Sequence, residues 1–396
     1  MSSKTEPQGS HAHAFTADVN NTFEIFSHRA LTREAPSPQD RRDQRLSNDI
    51  VEYLLREVPE FRRLSELRKK GWNNPKGDRF FEKQRRAADH ADDKTAKHFY
   101  KMMQDIGRDM HRLTGVFQIK SPSPDQNCIL DMCMAPGGFL ATALRLNPEA
   151  HALGFSLPKC NGGHNVLLPK HPRVTLKFLD ITMLAADMGL SDIPSEHPDT
   201  RNFLPTQFEP GQVFDLVLCD GQVLRNHDRA AYREHREARR LTITQLSLGL
   251  KHIKPGGTMI VLLHKVESLE SVQLLYIFDR FASVRLYKPT RAHATRSSFY
   301  MLASNIRSDC AEAAMAIARW ESMWKIATFG TDDMYEKALI EDGLHAEVLL
   351  REFGPRLVRL GKKVWDIQAN ALARAPFLKE NPVGLGGMTV QENTTQ

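Results

Sequence analysis

Three apolar runs of the sequence each end in a polar side chain that could hold a small ligand. The run "GFS" ends at Ser156, "KFLD" ends at Asp180 and "LVLCDG" contains Asp220. Polar groups at successive strand ends line one edge of a parallel sheet, where carboxylates accept hydrogen bonds from the amino and hydroxyl groups of a cofactor. An alternative for Asp180 is that it only caps a helix. Asp220 is the more specific signal, because a fully apolar strand precedes it and a basic stretch follows it.

A Pro-Gly-Gly turn lies between an apolar strand-like run and an alanine-rich helical run in "LDMCMAPGGFLATAL", residues 130–144. Glycine lets the backbone approach a ligand closely because no Cβ stands in the way, and Gly137 and Gly138 fit that role. The spacing is not GxGxxG, which disfavours a dinucleotide pyrophosphate. The alternative is that the two glycines only make a tight turn.

Seven short apolar runs alternate with helical patterns, which predicts an α/β sheet covered on both faces. The runs are "CILDMCMA", "AHALGFSL", "VTLKFLD", "FDLVLCD", "GTMIVLLH", "ASVRLYK" and "SFYMLAS". The Pro-rich stretch from Thr182 to Gln212 lacks periodicity, and we expect it to be a surface insertion. The chain then divides into a disordered tail (1–44), a helical N-terminal extension (45–94), the α/β domain (95–306), a helical C-terminal extension (307–378) and a second tail (379–396).

Composition narrows the class of protein only a little. The net charge of +6 and the pI of about 9.0 weakly favour an acidic partner such as nucleic acid. The five cysteines form no CxxC pair, so we expect reduced thiols, and Cys160 and His164 lack further ligands at zinc spacing. No signal-like start or membrane-length apolar stretch is seen. We therefore expect an intracellular protein with no metal site and no membrane contact, cytoplasmic or nuclear.

The order of four motifs resembles a known family. The motifs "LDMCMAPGGF", "FDLVLCDG", "LKHIKPGGTMIVLLHK" and "KPTRAHATRSSFYMLAS" look like those of the FtsJ/RrmJ-type ribose 2′-O-methyltransferases, which use S-adenosylmethionine. The resemblance covers about residues 95–306. It implies a Rossmann-like methyltransferase fold with a seven-stranded, mostly parallel sheet whose last strand is antiparallel.

The resemblance also implies a cofactor site. Asp131 and the turn would hold the methionine end of S-adenosylmethionine, and Asp180 would contact the adenine amino group. Asp220 would be a further cofactor-binding residue at the same edge of the sheet. The family usually has a carboxylate where this sequence has Ser156, so we expect the ribose contact to be weaker or moved. The turn residues implied are Ala135, Pro136, Gly137, Gly138 and Phe139.

The family is known for a Lys-Asp-Lys-Glu tetrad in which a neutral lysine takes the proton of the ribose hydroxyl, and no metal is needed. Burial and nearby positive charge must lower the pKa of that lysine. The aspartate maps onto Asp220. The first lysine maps onto Lys101, with Lys94 and Lys97 as rivals on the same predicted helix. The second maps onto Lys265, although Leu262 occupies the strictly aligned position.

The glutamate of the tetrad is missing. Its position is Ser298, and either Glu267 substitutes from nearby or the site works with three members. A third possibility is that the protein binds without catalysing. The two function classes are therefore an RNA ribose 2′-O-methyltransferase and an inactive relative that binds RNA or a partner protein.

A predicted helix after Asp220, "RNHDRAAYREHREARRL", is rich in arginine. Arginine and tyrosine beside the mouth of a site suit phosphate contact and base stacking, so the sequence predicts an RNA-binding face. The alternative is an exposed helix with Arg–Glu pairs, which Glu234 and Glu237 support. The predicted RNA-binding residues are Arg229, Arg233, Arg236 and Arg240.

Overall fold

A seven-stranded sheet forms the centre of the molecule in a computed structural model, which describes residues 38–89, 92–121, 123–223, 227, 229–341 and 346–378. The strands are β1 Cys128–Asp131, β2 His151–Ser156, β3 Val174–Phe178, β4 Phe214–Cys219, β5 Ile253–His264, β6 Ser283–Tyr287 and β7 Ser298–Ser304. Their order is β3-β2-β1-β4-β5-β7-β6, and β7 is antiparallel to both of its neighbours. The predicted fold class, including the antiparallel last strand, is confirmed.

Helices cover both faces of this sheet. They are α1 Pro38–Glu57, α2 Pro59–Trp72, α3 Pro75–Asp89, α4 Asp93–Thr114, α5 Gly138–Leu146, α6 Glu237–Lys251, α7 Leu269–Asp279, α8 Ala311–Phe329, α9 Asp332–Glu341 and α10 Ala346–Ala373. Side chains alternate along the buried strands, so Ile129 and Leu218 pack with the α4–α5 side while Leu130 and Cys219 pack with the opposite side. This alternation decides which strand-end side chains can share one site.

The helical extensions pack directly onto the α/β domain and onto each other. The rings of Phe61 in α2 and Trp365 in α10 lie 5.3 Å apart, and Arg63 donates a hydrogen bond to Asn370 at 2.7 Å. In the same core, Trp324 of α8 is fully buried and donates to the carbonyl of Thr182 at 3.2 Å. The extensions therefore complete the hydrophobic core.

Two sequence-based predictions need correction. The first helix begins at Pro38, inside the predicted tail 1–44. The rest of that tail and the predicted tail 379–396 lie outside the described residues. The stretch Thr182–Gln212 is not a surface insertion, because it places apolar side chains such as Leu184, Met188 and Phe208 in the core. None of the helices in the described part of the chain has the length and apolar composition that crossing a bilayer requires.

Candidate active site

The Pro-Gly-Gly turn connects β1 to α5 and uses its two glycines differently. Gly137 has φ of 101°, a left-handed conformation that favours glycine, and it caps the start of α5. A Cβ on Gly138 would lie 2.5 Å from the carbonyl oxygen of Tyr100 in α4. Gly138 is therefore required by the close packing of two helices, a reason that the sequence did not show. The preceding Ala135–Pro136 bond is cis, and Phe139 is buried in the first turn of α5.

Two carboxyl groups meet beside this turn. Asp131 is 1% exposed at the end of β1, and its Oδ1 atom has no hydrogen-bond partner among the described residues. Burial, together with the charge of Asp220, raises the pKa of Asp131 well above its usual range. Burial also raises the pKa of Asp220, which follows β4. A buried acceptor without a donor fits the amino group of a bound methionine moiety, so these residues suit S-adenosylmethionine.

Asp180 follows β3 and caps the 3-10 helix Ile181–Met183, which is the alternative that the sequence left open for it. Its Oδ1 atom accepts from the Thr182 backbone N–H at 2.9 Å and from the Thr182 hydroxyl at 2.8 Å. Its Oδ2 atom lies 3.5 Å from the Arg233 guanidinium. Ser156 is buried at the last residue of β2, and no carboxylate takes its place there. The side chain of Asp180 is thus held in one orientation at the sheet edge.

The predicted RNA-binding face is wrong for three of its four arginines. Arg233, Arg236 and Arg240 are 5%, 3% and 0% exposed. The first forms ion pairs with Asp199 at 3.1 Å and Glu237 at 2.7 Å. Buried guanidinium groups that carboxylates already hold cannot reach an RNA phosphate.

The same region is also less helical than predicted. Residues 225, 226 and 228 of the predicted helix lie outside the described part, Ala231–Arg233 form a 3-10 turn, and α6 begins only at Glu237. Arg236 donates to the carbonyl oxygen of Gly330 at 2.8 Å, beyond the end of α8. Arg229 lies 3.4 Å from Glu234. The segment therefore joins the sheet edge to the C-terminal extension.

The residues predicted for the tetrad have different surroundings. Lys101 is exposed on α4, whereas its rival Lys94 lines a cleft described below. Cys219, the last residue of β4, pairs with Val261, so Asp220 and Leu262 each follow this last pair by one residue. Lys265 lies three residues further, past the end of β5, with φ of 48°. Its role as the second tetrad lysine stays a prediction.

The charges that act on Lys265 come from elsewhere. Burial, aided by Arg68, lowers the pKa of Lys265 to about 8, while Glu267 opposes that shift. Glu267 itself forms an ion pair with Arg68 at 2.5 Å and accepts from the Trp365 indole N–H at 3.1 Å. Glu267 is therefore bound to the two extensions while its charge also acts on Lys265, and its role as a substitute for the tetrad glutamate stays a prediction. Ser298 is 6% exposed and pairs with His264 across β5 and β7.

A cleft of about 810 Å³ lies next to this corner of the sheet. All of its titratable lining side chains are basic, and aromatic rings lie between them. Its walls come from α3, from α4 and from the segment that joins β6 to β7. The lining residues are Phe80, Lys94, Thr95, His98, Phe99, Met102, Arg291, His293, Ala294, Thr295 and Arg296. Cations beside aromatic rings suit a single-stranded nucleic acid.

Sequence reasoning missed this cleft although a signal was present. The segment "KPTRAHATRSS" is basic and lies between two predicted strands, and it supplies five of the lining residues. Lys288 fixes the shape of this segment, because its Nζ atom donates to the carbonyls of His293, Arg296 and Ser298 at 2.8, 2.6 and 2.7 Å. Phe80 could not be found in this way, since it comes from the N-terminal extension.

The strand order, the antiparallel β7 and the acidic edge beside a glycine turn define a Rossmann-like methyltransferase fold. The sequence matches the FtsJ-like methyltransferase family over residues 108–306, half of the chain, and the chain belongs to that family. The methyl donor of this family is S-adenosylmethionine.

Individual relatives are distant. The cap-specific mRNA (nucleoside-2′-O-)-methyltransferase of Autographa californica nuclear polyhedrosis virus is 27% identical over 180 residues, which are 44% of this chain and 63% of that protein. Solved structures that are similar include the N-methyltransferase NodS from Bradyrhizobium japonicum, with 14% identity, a TM-score of 0.31 and coverage of 51% of this chain and 97% of NodS. An O-methyltransferase family protein from Burkholderia thailandensis has 13% identity, a TM-score of 0.29 and coverage of 55% and 61%. The chain thus spans less than two thirds of the first of these relatives.

Proposed function

We propose that the protein is an S-adenosylmethionine-dependent methyltransferase that modifies a ribose 2′-hydroxyl of RNA. The observation that carries the RNA substrate is the basic and aromatic cleft, whose lining residue His293 interacts electrostatically with His264 at the end of β5. Phosphates would contact Arg291 and Arg296, and unstacked bases would pack on Phe80 and Phe99. The viral relative that acts on mRNA at a nucleoside 2′-oxygen supports the same substrate.

When bound, S-adenosylmethionine supplies an electrophilic methyl group. Asp131 would accept hydrogen bonds from its amino group, the Gly137 turn would lie against its methionine end, and Asp180 would accept from its adenine amino group. Asp220 lies close enough to Asp131 at this edge for its charge to add to burial in raising the pKa of Asp131. The donor would then lie on one side of Asp220 and the RNA on the other.

A second candidate function is an RNA-binding module without catalysis. It is favoured by Leu262 beside Asp220 and by Ser298, because both replace charged members of the tetrad. This candidate needs the cofactor fold and the cleft but no proton acceptor.

Transfer of a labelled methyl group to total RNA, followed by nucleoside analysis, separates the two candidates. We expect 2′-O-methylated nucleosides with the wild type, loss of the label with Asp220→Ala, and wild-type activity with Asp333→Ala, a matched change on the distant helix α9. Labelled bases instead of ribose would contradict the proposed position. No transfer by a protein that still binds S-adenosylhomocysteine would favour the binding module.

A further inference from the structure

An imidazole occupies the corner of the sheet where the family's second lysine is expected. His264 is the last residue of β5 and pairs with Ser298, and Leu262 on the same strand pairs with Tyr300. Because side chains two residues apart point to the same face, His264 shares the face of Leu262. That is the face on which Asp220 raises the pKa of Tyr300. His264 therefore lies one step beyond Leu262, on the Asp220 side of the sheet.

The neighbouring glutamine fixes the orientation of this ring. Gln222 lies two residues after Asp220, and its Nε2 atom donates to the carbonyl of Gly221 at 2.9 Å. Its Oε1 atom then remains as the acceptor and lies 3.0 Å from Nε2 of His264. Since a carbonyl oxygen only accepts, His264 must carry its proton on Nε2. In the neutral ring Nδ1 is then the atom with the free lone pair.

Burial and nearby positive charge keep the ring neutral. Burial, followed by the charges of Lys288, Arg296 and Lys265, lowers the pKa of His264 to about 4. Burial lowers the pKa of Lys288 to about 7, and its three carbonyl partners match the three donors of its protonated form. His264 is still exposed to solvent and lies close enough to His293, a lining residue of the cleft, for the charges of the two rings to interact. The ring can therefore contact a substrate that extends from the cleft.

We propose that His264, positioned by Gln222, accepts the proton of the ribose hydroxyl in place of the family's lysine, an inference that rests on the proposed function. The ribose oxygen forms the new O–C bond, the sulfonium sulfur keeps the electron pair of the broken S–C bond, and the hydroxyl proton passes to Nδ1 of His264. Lys265 lies three residues after Leu262, an odd number that would not place it on the same face of a strand. The charge of Glu267 also opposes the lowering of the Lys265 pKa. Lys265 therefore serves His264 as a nearby cation.

The first test needs no activity. Nitrogen NMR of the wild-type imidazoles, assigned with His264→Gln, should show His264 with its proton on Nε2 and a pKa below the usual 6.5. Gln222→Glu should raise that pKa, because a carboxylate stabilises the charged ring. A proton on Nδ1, or a pKa at or above 6.5, would overturn the assignment.

The second test measures methyl transfer with each variant. His264→Ala should lower kcat by about 100-fold or more, the usual contribution of a general base, with S-adenosylhomocysteine affinity unchanged. His151→Ala, at the exposed start of β2, is the matched control and should leave kcat unchanged. Gln222→Glu should move the acid limb of the pH–rate profile to higher pH, an effect that a merely structural role would not produce.

The outcomes of these tests separate the two proposals. Equal turnover of wild type and His264→Ala would overturn the role of His264 alone. A wild type that transfers no methyl group to any RNA would overturn the proposed function and, with it, this role.

Discussion

The two sides of the Asp220 corner use their arginines in opposite ways. On the cofactor side, Arg233 and Arg240 are buried and both are paired with Glu237. On the cleft side, Arg291 and Arg296 line an open volume together with histidines and aromatic rings. The buried group stabilises the position of Asp180, whereas the cleft group faces space that a polyanion can enter. Arginine density along the sequence did not distinguish the two, because burial depends on carboxylates far away in the chain.

The largest expected effect is on the buried side. Arg240→Ala removes ion pairs and hydrogen bonds to Glu237 at 2.6 Å, to the Thr182 carbonyl at 3.0 Å and to the Thr328 hydroxyl at 3.1 Å. Glu237 keeps its pair with Arg233, but the buried cluster loses one cation and three of its hydrogen-bonded contacts, so we expect the free energy of unfolding to fall by about 3–5 kcal/mol. Urea unfolding measures it.

The adjacent Arg239→Ala is the control for that change. Arg239 pairs with Glu270 at 2.7 Å with both side chains partly exposed, and such pairs contribute about 1 kcal/mol or less. Similar losses for both variants would contradict the contrast between a buried and an exposed role.

Asp131→Asn tests the role of the buried carboxyl group on the cofactor side. The amide keeps the shape but cannot become the carboxylate that would accept from the cofactor's amino group, so we expect S-adenosylhomocysteine affinity to fall about tenfold or more by calorimetry.

The raised pKa of Asp131 also affects stability. It means that the folded state keeps a proton that the unfolded state releases above about pH 4. Wild-type stability from this group is therefore present below that pH and lost as pH rises through the raised pKa.

The asparagine variant should not show that loss. We expect its stability relative to wild type to increase with pH, measured by urea unfolding at a series of pH values. A stability difference independent of pH would contradict the burial of an unpartnered carboxyl group.

On the cleft side, Arg291→Glu should weaken RNA binding about tenfold in moderate salt. Loss of one phosphate contact should also reduce the slope of log affinity against log salt by about 0.7–0.9. Affinity for S-adenosylhomocysteine should not change. Lys337→Glu, on the exposed surface of α9, is the control, and an equal loss there would mean that net charge alone determines binding.

The smallest effect is expected at Ser298. Ser298→Ala removes one neutral hydroxyl, worth about 1 kcal/mol, so turnover should fall less than tenfold. Ser298→Glu places a carboxylate opposite His264 and should raise the pKa of that imidazole, moving the pH–rate profile to higher pH. An unchanged profile would indicate that position 298 does not act on the proton acceptor.

The sheet was predictable because each strand is a short apolar run, and all seven runs became strands in the predicted regions. The acidic edge followed from the same pattern, since parallel strands end together. The position of Lys265 was not predictable, because strand pairing and a left-handed residue at the strand end decide which face it takes. The burial of Arg233 could not be predicted either, because its partner Asp199 lies in a stretch whose sequence has no periodicity.

The packing of α2 against α10 has a consequence for biosynthesis. Asn74 donates to the carbonyl of Phe377 at 2.6 Å, across a separation of 303 residues. At translation rates of about 5–20 residues per second, roughly 15–60 s pass between the synthesis of these two partners. During that time the apolar side chains of Phe61 and Leu64 emerge from the ribosome before their final neighbours exist. The final packing of the nascent N-terminal helices thus waits until the segment around Phe377 has been translated.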